Sequence, residues 1–150
     1  MDNYLRLTLD TDGDGTANMH ATVSCNGFAG TSSAWFDLMQ LERFSEQLLA
    51  YPLPPDGVAA LQGGFWSKTQ RGELAQLHVS LKFRPVGLRG AVGCAVILRT
   101  PLNDGDNSKV SSLVEVELRS SYQELSDFSK SLKHLALGEA SEAILRGVTI

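Results

Sequence analysis

Leu5, Leu7 and Leu9 alternate with polar residues from Tyr4 onward, a period of two that predicts a half-buried strand. Asp10 to Gly15 reads as a turn. Residues 16–25 resume the alternation through Met19, Ala21, Val23 and Cys25, and Asn26-Gly27 is a hairpin signal leading into a further extended run, Phe28 to Phe36. The period then changes. Asp37 stands where a helix N-cap belongs, and Leu38, Leu41, Phe44, Leu48 and Tyr51 recur at three- and four-residue intervals. That stripe predicts an amphipathic helix, which Pro52, Pro54 and Pro55 end.

The second half repeats the grammar. Val58 to Phe65 predicts a short strand in which Gly63 and Gly64 mark a bulge or tight turn. Leu77, Val79, Leu81 and Phe83 place one apolar face on a strand from Glu73 to Phe83, Gly87 to Gly90 turns the chain, and Val92, Cys94, Val96 and Leu98 line its return over Ala91 to Arg99. Asn103 to Ser108 is a polar loop, and Val110 to Leu118 predicts another strand with Val114, Val116 and Leu118 inward. Ser121 caps a second helix with the stripe Tyr122, Leu125, Phe128, Leu132 and Leu135, closed by Gly138. The tail, with Ile144, Leu145 and Val148, reads as weakly helical.

The two helices share letters as well as period. Leu41, Phe44, Ser45 and Leu48 match Leu125, Phe128, Ser129 and Leu132, each 84 residues on, and each helix follows a strand pair that begins with a cysteine-bearing strand. The match suggests a duplicated ββα unit, although core packing alone asks any amphipathic helix for L-x-x-F-x-x-x-L. The expected fold is a single α+β domain over residues 1–150: a twisted, mainly antiparallel sheet of about seven strands with two amphipathic helices.

Composition narrows the function classes. At 43% hydrophobic and 20% charged residues the chain is an ordinary globular one, and its 150 residues can bury a core without a disulfide or metal framework. No apolar run has the length of a membrane helix, and MDNYLRLTLD lacks the pattern of a signal peptide, so a cytoplasmic protein without membrane association is expected. Residues 1–60 carry two basic and eight acidic groups, whereas residues 61–150 carry eleven and nine. The acidic half argues against nucleic acid, which needs a clustered positive field. Lys68, Arg71, Lys82, Arg84, Arg89 and Arg99 form a positive central stretch, most simply read as a solvated strand face. Cys25 and Cys94 lie in phase with core residues and read as buried free thiols, with a disulfide open only if their strands are neighbours.

Candidate chemistry is sparse. Asp10, Asp12, Asp14 and Gly15 open like a calcium loop, but Ala21 stands where the bidentate Glu belongs and strands flank the segment, so a hairpin turn is the simpler reading. His20, His78 and His134 have no ligand spacing, with His20 and His78 on the polar phase of their strands. Glu115 and Glu117 share an outward face and should stay solvated. No nucleophile elbow, Walker loop or dinucleotide fingerprint is present. No catalytic, cofactor-binding or metal-binding residue is therefore assigned. Trp35 and Trp66 are out of phase with apolar neighbours and, with Arg84 and Arg89 on the positive stretch, are the candidate partner-binding residues.

In the order YLRLTL, LMQLERFSEQLLAYP, LAQLHVSLKFRPVGLRGAVGCAVIL and VEVELRSSYQELSDFSKSL, the chain resembles bacterial immunity-like proteins of the WapI-associated kind. The resemblance spans most of the chain and implies a non-enzymatic cytoplasmic domain that neutralises a cognate toxin by occluding its site. Two other readings stand beside it. In one, sheet and helices enclose a cavity for a small molecule or a reaction. In the other, an edge strand pairs copies of the chain into a homo-oligomer.

Overall fold

The period-two segments form strands and the stripes form helices, in an architecture of two sheets rather than one. A computed structural model describes residues 2–56, 59–102 and 111–148. In chain order the elements are β1 (Tyr4–Thr11), β2 (Thr16–Cys25), β3 (Phe28–Asp37), α1 (Leu38–Gln47), β4 (Ala59–Trp66), β5 (Leu74–Val86), β6 (Ala91–Arg99), β7 (Leu113–Ser121), α2 (Tyr122–Ala136) and β8 (Ala143–Arg146). They make an α+β fold with two antiparallel four-stranded sheets, ordered β3-β2-β1-β8 and β4-β5-β6-β7. Among the described residues the expected sheet of about seven strands is thus eight strands in two sheets. The eighth is the tail, read from sequence as weakly helical. Leu145 pairs with Leu5 and Ala143 with Leu7, so burying alternate residues on the edge of β1 outweighs the weak helical preference. Val58, the polar loop at Asn103 to Ser108, and Val110 lie outside the described residues.

The repeat is larger than the ββα unit suggested by the helices. Three antiparallel strands, a helix and a fourth strand occur twice, and each fourth strand joins the other half's sheet: β4 pairs with β5, and β8 with β1. The 84-residue offset continues past the helices, matching Ala59, Leu61 and Gly63 with Ala143, Leu145 and Gly147. The glycines also share a task. A Cβ on Gly63 would lie 2.6 Å from the Phe36 ring and 2.9 Å from Ala34, while one on Gly147 would meet Leu118, the residue 84 after Ala34.

The sheets pack face to face with strands crossing. Along β3, Ala34 and Phe36 meet Gly63 of β4, Ser32 Oγ donates to the Arg99 carbonyl at the end of β6 (2.7 Å), and Gly30 meets Val114 of β7. β3 thus traverses the second sheet. β7 does the same to the first, since Val114 meets Gly30 of β3, the Glu117 carbonyl accepts from Cys25 Sγ of β2, and Ser120 Oγ donates to the Arg146 carbonyl of β8. Crossings of this kind belong to orthogonal sheet packing. Gly30 and Val114 are themselves 84 residues apart, so at the crossing the two repeats touch through equivalent positions. A two-fold relation between the halves requires such self-contacts.

The helices lie against one another and seal the interior. Ser129 Oγ donates to the Ser45 carbonyl (2.6 Å), a second contact between positions 84 apart. Ser45 sits in the last turn of α1, where carbonyls lack intrahelical donors, so this hydroxyl satisfies a group that burial would otherwise leave unpaired. Phe83 of β5 packs between Phe44 and Phe128, which are also equivalent, at ring-centroid distances of 5.9 and 6.2 Å. One hydrophobic core includes residues of both sheets and both helices.

The helix ends differ from each other. Ser121 Oγ accepts from the Glu124 amide (3.1 Å), as its sequence position predicts. At the other end Gly138 takes φ of +77°, its amide donating to the Leu135 carbonyl and that of Glu139 to the His134 carbonyl, the paired bonds of a Schellman closure. Asp37 occupies the N-cap of α1 without capping it by its side chain, and the Leu38 amide, the first of the helix, donates to the Gly15 carbonyl (2.9 Å). Tyr51, assigned to the α1 stripe by its spacing, lies beyond the helix and is 78% exposed.

Two stability predictions follow from these contacts. Gly30→Ala would put a methyl carbon 2.6 Å from Val114 Cγ1; urea unfolding should show a loss of about 1–3 kcal/mol from overpacking, most of it recovered when Val114→Ala is added. Ser129→Ala should cost about 1–2 kcal/mol by stranding the Ser45 carbonyl. Ser45→Ala should cost less, because its hydroxyl donates only to the Glu42 carbonyl within its own helix. Equal losses for the two serine variants would contradict the assigned role.

Candidate partner-binding site

Trp35 is on the outward phase of β3 because Ala34 and Phe36 on either side are committed to the core. Trp66 ends β4, and the two indoles, 51% and 53% exposed, lie on the same surface. Together with Phe65, which is 44% exposed, they line a trough of about 780 Å³ whose other walls include Gly64, Lys68, Gln76 and Leu102. A smaller hollow of about 280 Å³ lies on the other side of the indoles, between them and the start of α1, lined also by Thr16, Asp37 and Gln40. The large hollow is an open trough rather than a chamber, because its aromatic walls are themselves about half accessible.

The hairpin that carries Trp66 is rigidly built. Opposite Gly64 the pairing with β5 skips His78, a bulge, and a second irregularity follows between Phe65 and Trp66. Gly64 is needed there, since any Cβ would collide with the Gln76 carbonyl. In the connecting loop Ser67 Oγ accepts from the amides of Thr69 and Gln70 (3.2 and 3.0 Å), and the Ser67 amide donates to the Glu73 carbonyl (2.7 Å).

The bulge also buries His78, which the strand phase assigned to a polar face. Its Nε2 donates to Gln76 Oε1 (3.1 Å), and Phe65 packs edge-on against the imidazole at 4.5 Å. Gln76 in turn clasps the Leu102 backbone, Nε2 donating to the carbonyl (2.7 Å) and Oε1 accepting from the amide (3.0 Å). His78, Gln76 and Leu102 thereby brace the trough from below. Burial, helped by the positive charge of Arg99, pulls the His78 pKa below its ordinary value.

Of the four candidate partner-binding residues, the structure brings Trp35 and Trp66 together and leaves Arg84 and Arg89 apart from them. Arg84 is near the opposite end of β5, and Arg89 is in the β5–β6 turn. The Arg84 guanidinium is already engaged. It holds the Glu117 carboxylate through Nη2 (2.9 Å to each oxygen) and Nε (3.2 Å), and Arg119 adds a further contact at 2.9 Å. Gly93 allows this pairing across β6, because a Cβ there would sit 3.2 Å from the carboxylate. Glu117 is therefore a half-buried, twice-paired acid instead of the freely solvated one its outward phase implied, whereas Glu115 is exposed.

The remaining chemistry-bearing groups are dispersed. Cys25 and Cys94 are free and buried, and desolvation pushes both thiols up, strongly for Cys94, where the charge of Glu117 adds to the effect. His20 pairs with Asp10 (2.9 Å) and His134 with Glu139 (2.7 Å), both exposed. In the β1–β2 turn the Thr16 hydroxyl and amide donate to Asp14, holding its carboxyl below the usual range. Among the described residues no three His, Cys, Asp or Glu side chains converge as metal ligands, and no helix is long and apolar enough to cross a membrane. Sequence phase located the two indoles. It missed Asp37, Gln76, His78 and Leu102 as parts of the site, and the Gly63-Gly64 pair was the one local signal of the bulge that gathers three of them.

Comparisons with protein-family models, curated proteins and solved structures find no match to this chain.

A pH dependence follows from His78. Its folded pKa lies below the ordinary value of about 6.5, so the unfolded chain binds the proton more readily. This group's stabilising contribution is present above that pH and declines as pH falls through it. Urea midpoints at about pH 7.5 and about pH 5 should therefore diverge less in His78→Gln than in the unaltered protein. An equal or larger divergence would remove His78 from the account.

Proposed function

We propose that this chain is a non-enzymatic protein-binding domain whose docking surface is the aromatic face formed by Trp35, Phe65 and Trp66. One observation carries the reading: three large aromatic side chains stand about half exposed together, Trp35 on β3 and Phe65 and Trp66 on the braced β4–β5 hairpin, outside the core that both repeats build. Isolated exposed apolar residues need no explanation, but clustered aromatics on a rigid support have the character of interface anchors. The bulge and the Gln76 clasp reduce the ordering needed on association.

The likeness of element order to WapI-associated immunity proteins fits this reading and supplies a candidate partner, a cognate toxin encoded beside the chain. Occlusion of a toxin's site requires an outward-facing surface of this kind and no reactive group. The trough of about 780 Å³ gives one observation in favour of a second reading, a small-molecule site. Against it, the amide of Gln76 is committed to Leu102 and His78, which leaves few convergent polar groups to orient a small ligand.

The deciding measurement is calorimetric titration of the purified chain with the product of the adjoining reading frame. Saturable binding is expected, weakened about 30-fold or more by Trp35→Ala or Trp66→Ala, with the unfolding midpoint little changed. Absence of binding, or binding indifferent to both substitutions, would defeat the proposal. A stoichiometric small molecule retained in native mass spectrometry would favour the second reading.

A further inference from the structure

The smaller hollow beside the indoles has a chemistry that the larger trough lacks. Asp37 lines it with its carboxylate unspent: the side chain accepts no capping hydrogen bond from α1, and no hydrogen bond or ion pair to Asp37 occurs among the described residues. Trp35 and Trp66 supply aromatic surface on the same hollow, and Thr16 and Gln40 complete it without a basic residue. Lys68 belongs to the trough.

On the α1 side of the hollow the nearest turn is rich in carboxylates. The Gly15 carbonyl that holds Leu38 ties α1 to the β1–β2 turn, which carries Asp12 and Asp14 beside Asp10. Of these, Asp10 is paired with His20, and Asp14 is bonded to Thr16, which faces Asp37 across the β2–β3 pairing. The N-terminus of α1 by itself would favour an anion. A full carboxylate at that terminus and the aspartates of the adjacent turn oppose this, since the helix terminus carries about half an elementary charge.

The geometry points to this hollow as the seat of an arginine side chain from the protein partner, stacked on the indoles and paired with Asp37. A guanidinium is the cation that best satisfies both demands, being planar enough to lie on an aromatic face and forked enough to bind a carboxylate in two places. The inference rests on the docking-surface reading and sharpens it: the partner presents a basic segment to the acidic margin of the aromatic face.

The test uses the full chain and a small probe. The two indole N–H resonances are followed by NMR while N-acetyl-argininamide is added at constant ionic strength, with N-acetyl-citrullinamide as its uncharged isostere and N-acetyl-glutamic acid α-amide as an anionic control. Saturable shifts of both indole signals are expected in the millimolar range with the arginine probe only. Asp37→Asn should weaken that binding about tenfold, and Asp37→Glu should retain most of it. The Asp37 side chain makes no capping hydrogen bond, so the unfolding midpoint of Asp37→Glu should match that of the parent and that of Asp37→Asn should fall only slightly, by the lost attraction to the helix terminus. Equal shifts with citrulline, a response to the anionic probe, or indifference to Asp37→Asn would each overturn the inference. Its failure is separable from failure of the docking reading. A partner protein whose binding depends on Trp35 and Trp66 but ignores Asp37→Asn refutes the arginine seat alone. A partner indifferent to the tryptophans refutes the docking surface, whatever the probe does.

Discussion

The close approach of β3 and β7 at Gly30 and Val114 is the constraint on which the rest of the structure depends. Two strands from different sheets can cross there only because one of them carries no side chain, and the valine of the other fills the space that is left. Once that crossing is made, β3 runs over the second sheet and β7 over the first. The exchanged strands β4 and β8 then lie beside the crossing strands, and each again meets its neighbour through a glycine, Gly63 or Gly147. Phe83 between Phe44 and Phe128, and Ser129 beneath the Ser45 carbonyl, complete an interior held in common by both repeats. Neither repeat can be lifted away as a separate unit, because its last strand belongs to the other sheet.

The same constraint decides where the aromatic face lies. Commitment of Ala34 and Phe36 to the contact with Gly63 turns Trp35 outward at the place where β4 passes. Trp66 arrives beside it at the end of β4, on a hairpin bent by the bulge at His78. Residues 64–77 at the end of this hairpin contribute nothing to the hydrophobic core. What the hairpin requires is local satisfaction of its polar groups, which Gln76, Leu102, His78 and Ser67 provide.

Electrostatics divide the surface in a way that charge totals conceal. The positive stretch counted along the sequence does not form one field beside the tryptophans: Arg84 is absorbed by Glu117, and Arg89 sits at a distant turn. The acidic excess of the first 60 residues does have a local consequence, placing uncancelled carboxylates where α1 meets the β1–β2 turn. A partner approaching the indoles therefore meets two margins of unlike character, Lys68 on the trough and Asp37 on the hollow. Such asymmetry sets orientation and encounter rate more than affinity.

Local pattern determined much of this protein by itself. Alternation over Leu5, Leu7 and Leu9, the stripes through Phe44 and Phe128, the cap at Ser121 and the closure at Gly138 need only the geometry of one strand or helix, and all four are legible in order along the chain. The 84-residue echo of L-x-x-F-S-x-x-L was legible too, and one of its positions, Ser45 with Ser129, meets its own counterpart in space. Tertiary structure alone decided the division into two sheets, the exchange of β4 and β8, the conversion of the tail into a strand and the burial of His78. Each depends on which surfaces remain available after distant segments have packed. A period of two states that a residue faces one side of a strand, but not whether another strand, a bulge or water lies there. For that reason the phase of Trp35 and Trp66 was readable while their meeting was not, and Asp37, by every local sign a helix cap, became the free carboxylate of the candidate site.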